Sequence, residues 1–128
     1  MNMERNQGIQ FLSREEIRAY QEKRMAEALD YVSKNSPFYS KLFSDNHIDI
    51  SKIRTLDDLS CIPVTTKPDL QSRNQDFVCV PPSEIVDYPT TSGTLGDPVT
   101  FAETESDLEH LAYNEFLSFS TAGCTRDD

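Results

Sequence analysis

The stretch Pro89-Thr90-Thr91-Ser92-Gly93-Thr94-Leu95-Gly96-Asp97-Pro98 gathers hydroxyls, glycines and prolines into one short turn. The chain reads as strand on both sides, over Glu84 to Tyr88 before it and Val99 to Ala102 after it. A hairpin is the fold this pattern requires locally. Glycines admit backbone angles closed to other residues and let a ligand approach the main chain. A run of N–H groups with hydroxyls beside them can wrap an anion such as a phosphate. Thr91, Ser92 and Thr94 would supply side-chain donors, and Gly93 to Gly96 main-chain donors. The same residue types also make an ordinary hairpin loop. The stretch has neither the lysine-serine/threonine ending of the triphosphatase loop nor the three-glycine dinucleotide turn. Composition alone therefore leaves a plain turn and an anion site both open.

The rest of the chain is mainly helical in pattern. Met1 to Leu12 is polar and patternless, and residues 1–12 are expected to form a flexible N-terminus. Ser13-Arg14-Glu15-Glu16 reads as a capping box. The helix it opens carries Ile17, Tyr20, Met25, Leu29 and Val32 as its apolar stripe and ends near Lys34. Asn35-Ser36-Pro37 breaks that helix and starts another, with Pro37 in the first turn. Phe38, Tyr39, Leu42 and Phe43 then face one way. Asp45 to Asp49 is a turn. Ile50, Ile53, Leu56, Leu59 and Ile62 recur three residues apart, which suits short helical turns better than strands. Thr66 caps a further helix, with Pro68 early in it and Asp69 at its positive end. Lys67 is a candidate phosphate or substrate contact, although the helix start already accounts for its neighbours. Thr104-Glu105-Ser106-Asp107 opens the last helix as another capping box, and Gly123 ends it.

Charge and cysteine usage narrow the function. The formal net charge of the 128 residues is -10, which repels nucleic acid and anionic membrane. No apolar run has the length of a membrane span, and Met1 to Gln10 carries no hydrophobic signal region. The expectation is a cytoplasmic protein with no nucleic-acid or membrane partner. Cys61, Cys79 and Cys124 are widely spaced and form no zinc or redox motif, so they read as reduced and structural. His47 and His110 are isolated. Neither a metal site nor a catalytic residue is expected within this chain.

A longer set of segments carries a resemblance. Ser36-Pro37-Phe38-Tyr39, Leu56-Asp57-Asp58-Leu59, Ile62-Pro63-Val64-Thr65-Thr66-Lys67-Pro68-Asp69-Leu70 and Thr91-Ser92-Gly93-Thr94-Leu95-Gly96-Asp97-Pro98 occur in that order. In this order they resemble the phenylacetate–CoA ligase branch of the AMP-forming, adenylate-forming enzymes. The resemblance runs from about Leu29 to the end of the chain. It implies an α+β fold: several N-terminal helices, a β-hairpin carrying the phosphate loop, then a helix. Residues 13–128 would be the N-terminal portion of an adenylation domain, truncated at its C-terminal end.

The resemblance also implies a chemistry. Such enzymes activate phenylacetate or another aryl acid with ATP to an acyl-adenylate, then pass the acyl group to coenzyme A. Donors and Mg²⁺ stabilise the charge that builds up on the phosphates. Thr91, Ser92, Gly93, Thr94 and Gly96 are the implied phosphate-binding residues. ATP, Mg²⁺ and coenzyme A are implied for the full-length family, with none assigned to this stretch by itself. Two departures stand out. The family commonly has threonine where this chain has Leu95, and lysine where it has Asp97. A carboxylate beside phosphate costs a few kcal/mol at an effective dielectric of about 20. The other familiar residues of the family lie outside this chain, so it is expected to be inactive alone. Alternatives are a related enzyme with a non-CoA acceptor, of the coenzyme F420-adenylating or capsule-biosynthesis type, and a non-catalytic interaction module. An apolar surface left uncovered would favour homo-oligomers.

Overall fold

The computed structural model describes residues 9–92 and 98–125. The chain divides into two compact units, Met1–Val64 and Thr65–Asp128. Each is built from helices with explicit end signals, and the only named strands among the described residues form one antiparallel pair in the second unit.

In the first unit a short 3₁₀ turn, Ile9–Phe11, precedes α1, Arg14–Asn35. The capping box forms as the sequence predicts. Glu16 N–H donates to Ser13 Oγ at 3.2 Å, and Ser13 N–H donates to Glu16 Oε2 at 2.8 Å. The second of these bonds, with the Ser13 hydroxyl, holds the Glu16 carboxyl below its ordinary value. Ser36 then does two tasks. Its N–H donates to Val32 O at 2.9 Å and closes α1. Its Oγ accepts from Tyr39 N–H at 3.3 Å and opens α2, Pro37–Asp45. One residue thus joins two helices, and Ser36 is 1% exposed. Phe38 and Phe43 of α2 are buried, as is Ile53. Tyr39 sits between the two phenylalanines, edge-on to Phe38 with ring centroids 5.4 Å apart and tilted against Phe43 at 6.0 Å.

α2 closes in a Schellman motif. His47 N–H donates to Ser44 O at 3.1 Å and Ile48 N–H to Phe43 O at 2.9 Å. That geometry places His47 at φ 54°, in the left-handed region. The three-residue recurrence beyond it becomes two 3₁₀ turns, Ile50–Lys52 and Leu56–Cys61. A 3₁₀ helix has three residues per turn, so this spacing keeps one face apolar. Asp58 Oδ2 accepts from Thr55 N–H, Thr55 Oγ1–H and Arg54 N–H at 2.8 to 3.0 Å. These donors, Thr55 N–H foremost, hold the Asp58 carboxyl below its ordinary value. Arg18 on α1 donates to Glu22 at 3.0 Å and to Asp57 at 2.6 Å, and Glu22 accepts Leu56 N–H at 3.3 Å. The long helix is thereby tied to the second turn.

The second unit opens with α3, Lys67–Ser72. Asp69 Oδ2 accepts Thr66 Oγ1–H at 2.6 Å and Thr66 N–H at 2.8 Å, and those two bonds, in that order, lower its pKa. The 3₁₀ turns Asn74–Phe77 and Pro82–Glu84 lead into β1, Ile85–Asp87. Its partner β2 is Glu103–Thr104, pairing Ile85 with Thr104 and Asp87 with Glu103 across a register shift. β2 therefore lies beyond the expected Val99 to Ala102, for a reason that belongs to the site. Thr104 ends β2 and caps α4, Glu105–Thr121, through a capping box with Asp107. α4 closes as α2 does: Gly123 N–H donates to Ser120 O and Cys124 N–H to Phe119 O, with Gly123 at φ 90°. α4 buries none of its residues, and Leu111, Phe116 and Phe119 are exposed. Among the described residues, no helix is long and apolar enough to cross a membrane.

Candidate functional site

The loop is hung from a hairpin whose ladder is interrupted by its own residues. Asp87 pairs with Glu103, and three residues further along each strand Thr90 pairs with Thr100. Between those pairs the hydrogen bonding is half made. Phe101 N–H donates to Pro89 O at 2.9 Å. Pro89 has no N–H to return, so this pair carries a single main-chain bond. Tyr88 N–H donates to the side chain of its neighbour, Asp87 Oδ1, at 2.8 Å. The expected strand over Val99 to Ala102 thus survives as the single Thr90–Thr100 bridge. Proline chemistry, invisible to the alternation of apolar residues, is the physical reason.

Thr91 makes the last step before the loop. Its N–H donates to Val99 O at 3.0 Å. The returning bond comes from Val99 N–H to Thr91 Oγ1, also at 3.0 Å. A side-chain oxygen therefore takes the place of a main-chain carbonyl at the mouth of the hairpin. Val99 is 3% exposed, whereas Thr91 and Ser92 are exposed. On the outgoing strand, Asn74 Nδ2 donates to Thr100 O at 2.7 Å, reaching it from the turn Asn74–Phe77.

Of the five implied phosphate-binding residues, Thr91 and Ser92 stand together at the end of the incoming strand. Gly93, Thr94 and Gly96 lie outside the described residues, as do Leu95 and Asp97. Thr91 is not simply an outward donor, because its oxygen accepts from Val99. A hydroxyl carries one hydrogen and two lone pairs, so that acceptance leaves the O–H hydrogen for an acceptor elsewhere. A phosphate oxygen is such an acceptor, and to that extent the described part of the loop fits an anion. Among the described residues, no group of three His, Cys, Asp or Glu side chains could hold a metal ion. Lys67 is exposed at the first position of α3. His110 is exposed on α4. None of the three cysteines is in a disulfide: Cys61 and Cys124 are exposed, and Cys79 is half-buried with its Sγ–H donating to Phe77 O at 3.4 Å.

No family model matches the chain. A phenylacetate-coenzyme A ligase of Thermus thermophilus is 34% identical over 116 residues, covering 90% of this chain and 26% of that protein. The namesake of Escherichia coli is 31% identical over 121 residues, 94% of this chain and 28% of that protein. The chain is a relative of the phenylacetate–CoA ligases. It spans about a quarter of the length of the curated relatives it matches. Its fold agrees with the solved structure of a 2-hydroxyisobutyryl-CoA ligase in complex with 2-HIB-AMP and CoA, at a TM-score of 0.73. That match has 28% identity and covers 80% of this chain and 23% of the other. An open conformation of that ligase gives the same TM-score at 26% identity.

The resemblance to the phenylacetate–CoA ligases located the loop, but two participants of its stem escaped the sequence. Thr91 was legible only as a donor, and its role as an acceptor depends on the break in the ladder. Asn74 carries no local signal, since its partner Thr100 is 26 residues away. The one usable hint is Pro89 opposite Phe101, which marks where a strand cannot complete its pairing.

Proposed function

We propose that this chain is the loop-bearing part of an AMP-forming acid–CoA ligase whose substrate is phenylacetate or another aryl acid. What supports the reading is the 34% identity to a phenylacetate-coenzyme A ligase over 90% of the chain. The loop's task in it is to hold the phosphates of ATP while the acid's carboxylate is activated. Thr91 and Ser92 offer hydroxyl donors, and Gly93, Thr94 and Gly96 complete the set. Donors fixed before charge develops cost no reorganisation when it appears. Mg²⁺ would enter on the phosphates, since it keeps most of its waters and binds few protein groups. Its contribution is to neutralise phosphate charge. Coenzyme A is the proposed acyl acceptor. The reading places the protein in the cytoplasm, where ATP and coenzyme A are available.

By the same reading the residues present here do not form an acyl-adenylate by themselves. A pyrophosphate-release assay with phenylacetate, ATP and Mg²⁺ tests this, and clear turnover by the 128-residue chain would overturn it. The loop is tested separately by calorimetry with Mg²⁺-ATP. Binding that weakens in Ser92→Ala and strengthens in Asp97→Lys is the expected result. Equal heats from all three proteins would remove the phosphate-loop reading. The exposed apolar side chains of α4 favour association of two copies of the chain. A compact monomer at high concentration in sedimentation would end that part of the proposal.

A further inference from the structure

Thr90 and Thr100 are opposite one another, and the bonds flanking them run from Thr91 to Val99 and from Phe101 to Pro89. They are therefore a non-hydrogen-bonded pair, whose own N–H and C=O groups point away from the opposite strand. The outward carbonyl of Thr100 needs a partner from some other element. Asn74 supplies it, with Nδ2 at 2.7 Å in a half-buried setting. The partner is a carbonyl oxygen, so the amide must present its nitrogen. On the inner side of the same stem, Thr91 Oγ1 receives Val99 N–H. The outgoing strand is thus gripped from both edges within two residues, at Val99 and at Thr100.

We propose that Asn74 is a positioning residue for the anion loop: its carboxamide anchors the outgoing strand at Thr100 and, with the Thr91–Val99 clip, fixes the spacing of the two loop ends. This rests on the reading of the loop as a phosphate site. The grip matters because the ladder around it is weak, with one main-chain bond at the Pro89–Phe101 pair and one at Thr91–Val99. Such a stem opens easily unless something outside the hairpin restrains it. Donors must be held within a fraction of an ångström of their working geometry, so a loose stem lowers anion affinity without removing any contact to the anion.

The test uses the full chain and three variants. Asn74→Asp keeps the shape but sets a carboxylate against Thr100 O. Asn74→Ala removes the group, and Asn74→Gln retains the amide. Amide hydrogen exchange is followed by NMR at Thr91, Val99 and Phe101, with Ile48 in the first unit and Cys124 in the second as internal controls for the fold. Inorganic pyrophosphate affinity is measured on the same samples by calorimetry. Loss of one net hydrogen bond corresponds to a factor of about three to ten. Exchange at the three stem amides should quicken by that factor in the Asp and Ala variants, with the controls unchanged and partial rescue by Gln. Pyrophosphate affinity should fall in the same order. Unchanged exchange at the stem in both Asp and Ala variants overturns the role of Asn74, even if the anion binds. Quickened exchange in a chain that binds no pyrophosphate overturns the phosphate reading instead, and confirms that Asn74 anchors the strand.

Discussion

Two helices of this chain end in the same hydrogen-bonded motif with different residues at the left-handed position, and that difference is a measurable free energy. In α2 the residue is His47 at φ 54°, and in α4 it is Gly123 at φ 90°. An L-residue held in this region costs about 1 to 2 kcal/mol, and glycine escapes that cost. Glycine gives part of it back, because its unfolded chain is freer by about 0.5 to 1 kcal/mol. The balance for His47→Gly is a gain of about 0.5 to 1 kcal/mol. His47 is exposed, so little packing is lost with the side chain. Gly123→Ala runs the exchange in reverse, and a Cβ built at Gly123 meets nothing within 4 Å. Its cost is therefore conformational alone, about 1 kcal/mol. Thermal melts followed by circular dichroism should rise by a few degrees for His47→Gly, at about 4 to 8 °C per kcal/mol in a small domain. Native-state exchange then localises each effect, at the Ile48 amide for one variant and the Cys124 amide for the other. A loss of stability in His47→Gly would mean that the imidazole contributes more than its left-handed backbone costs.

Ser36→Ala removes the cap of α2 at a residue 1% exposed, and should cost about 1 to 2 kcal/mol in a urea titration. Phe43→Ala empties a buried position next to Tyr39 and should cost about 3 to 5 kcal/mol, enough to abolish a cooperative melt of the first unit. Acid should unwind the capped helix starts. Glu16, Asp58 and Asp69 all titrate below their ordinary values when folded, so their contribution is complete above about pH 5 and is lost as pH falls through the lowered values. Helical signal against pH should fall below that point, and Asp58→Ala should flatten part of the slope.

The helices were legible because their ends are written locally. Ser13 with Glu16, Thr66 with Asp69 and Thr104 with Asp107 each need only four consecutive residues to declare a start. The Ser13 and Thr104 boxes form with both reciprocal bonds, and at Thr66 the N–H and O–H both donate to Asp69 Oδ2. Ser36-Pro37 declares a break in the same way, and Gly123 a stop. The three-residue spacing from Ile50 to Ile62 pointed to short helical turns, and the structure makes them 3₁₀, whose period is three. His47 escaped, since nothing in a histidine announces a left-handed backbone, and the turn around it was legible only as a turn. β2 was misplaced for a related reason. Apolar alternation marks which residues can be strand, but pairing depends on which N–H groups exist and where they turn. Pro89 stands at a hydrogen-bonding position of the ladder and has no N–H to give it.

The candidate site was singled out only through the longer pattern, and its stem explains why. Hydroxyls and glycines in a turn satisfy one another as readily as they satisfy an anion, and the Thr91 hydroxyl has an atom for each. Its oxygen serves the fold by accepting from Val99, and its hydrogen remains for a ligand. A composition rule counts Thr91 once as a donor and misses that the same atom keeps the loop's ends together. This division of labour separates two substitutions that a donor count would treat alike. Thr91→Val loses the hydroxyl and the clip together, so anion affinity and protection of the Val99 amide should fall together. Ser92→Ala, measured against the same two readouts, should lower anion affinity and leave the Val99 amide as protected as before. If both substitutions left Val99 equally protected, the Thr91 clip would not be what holds the loop, and the anchoring would rest on Asn74 alone.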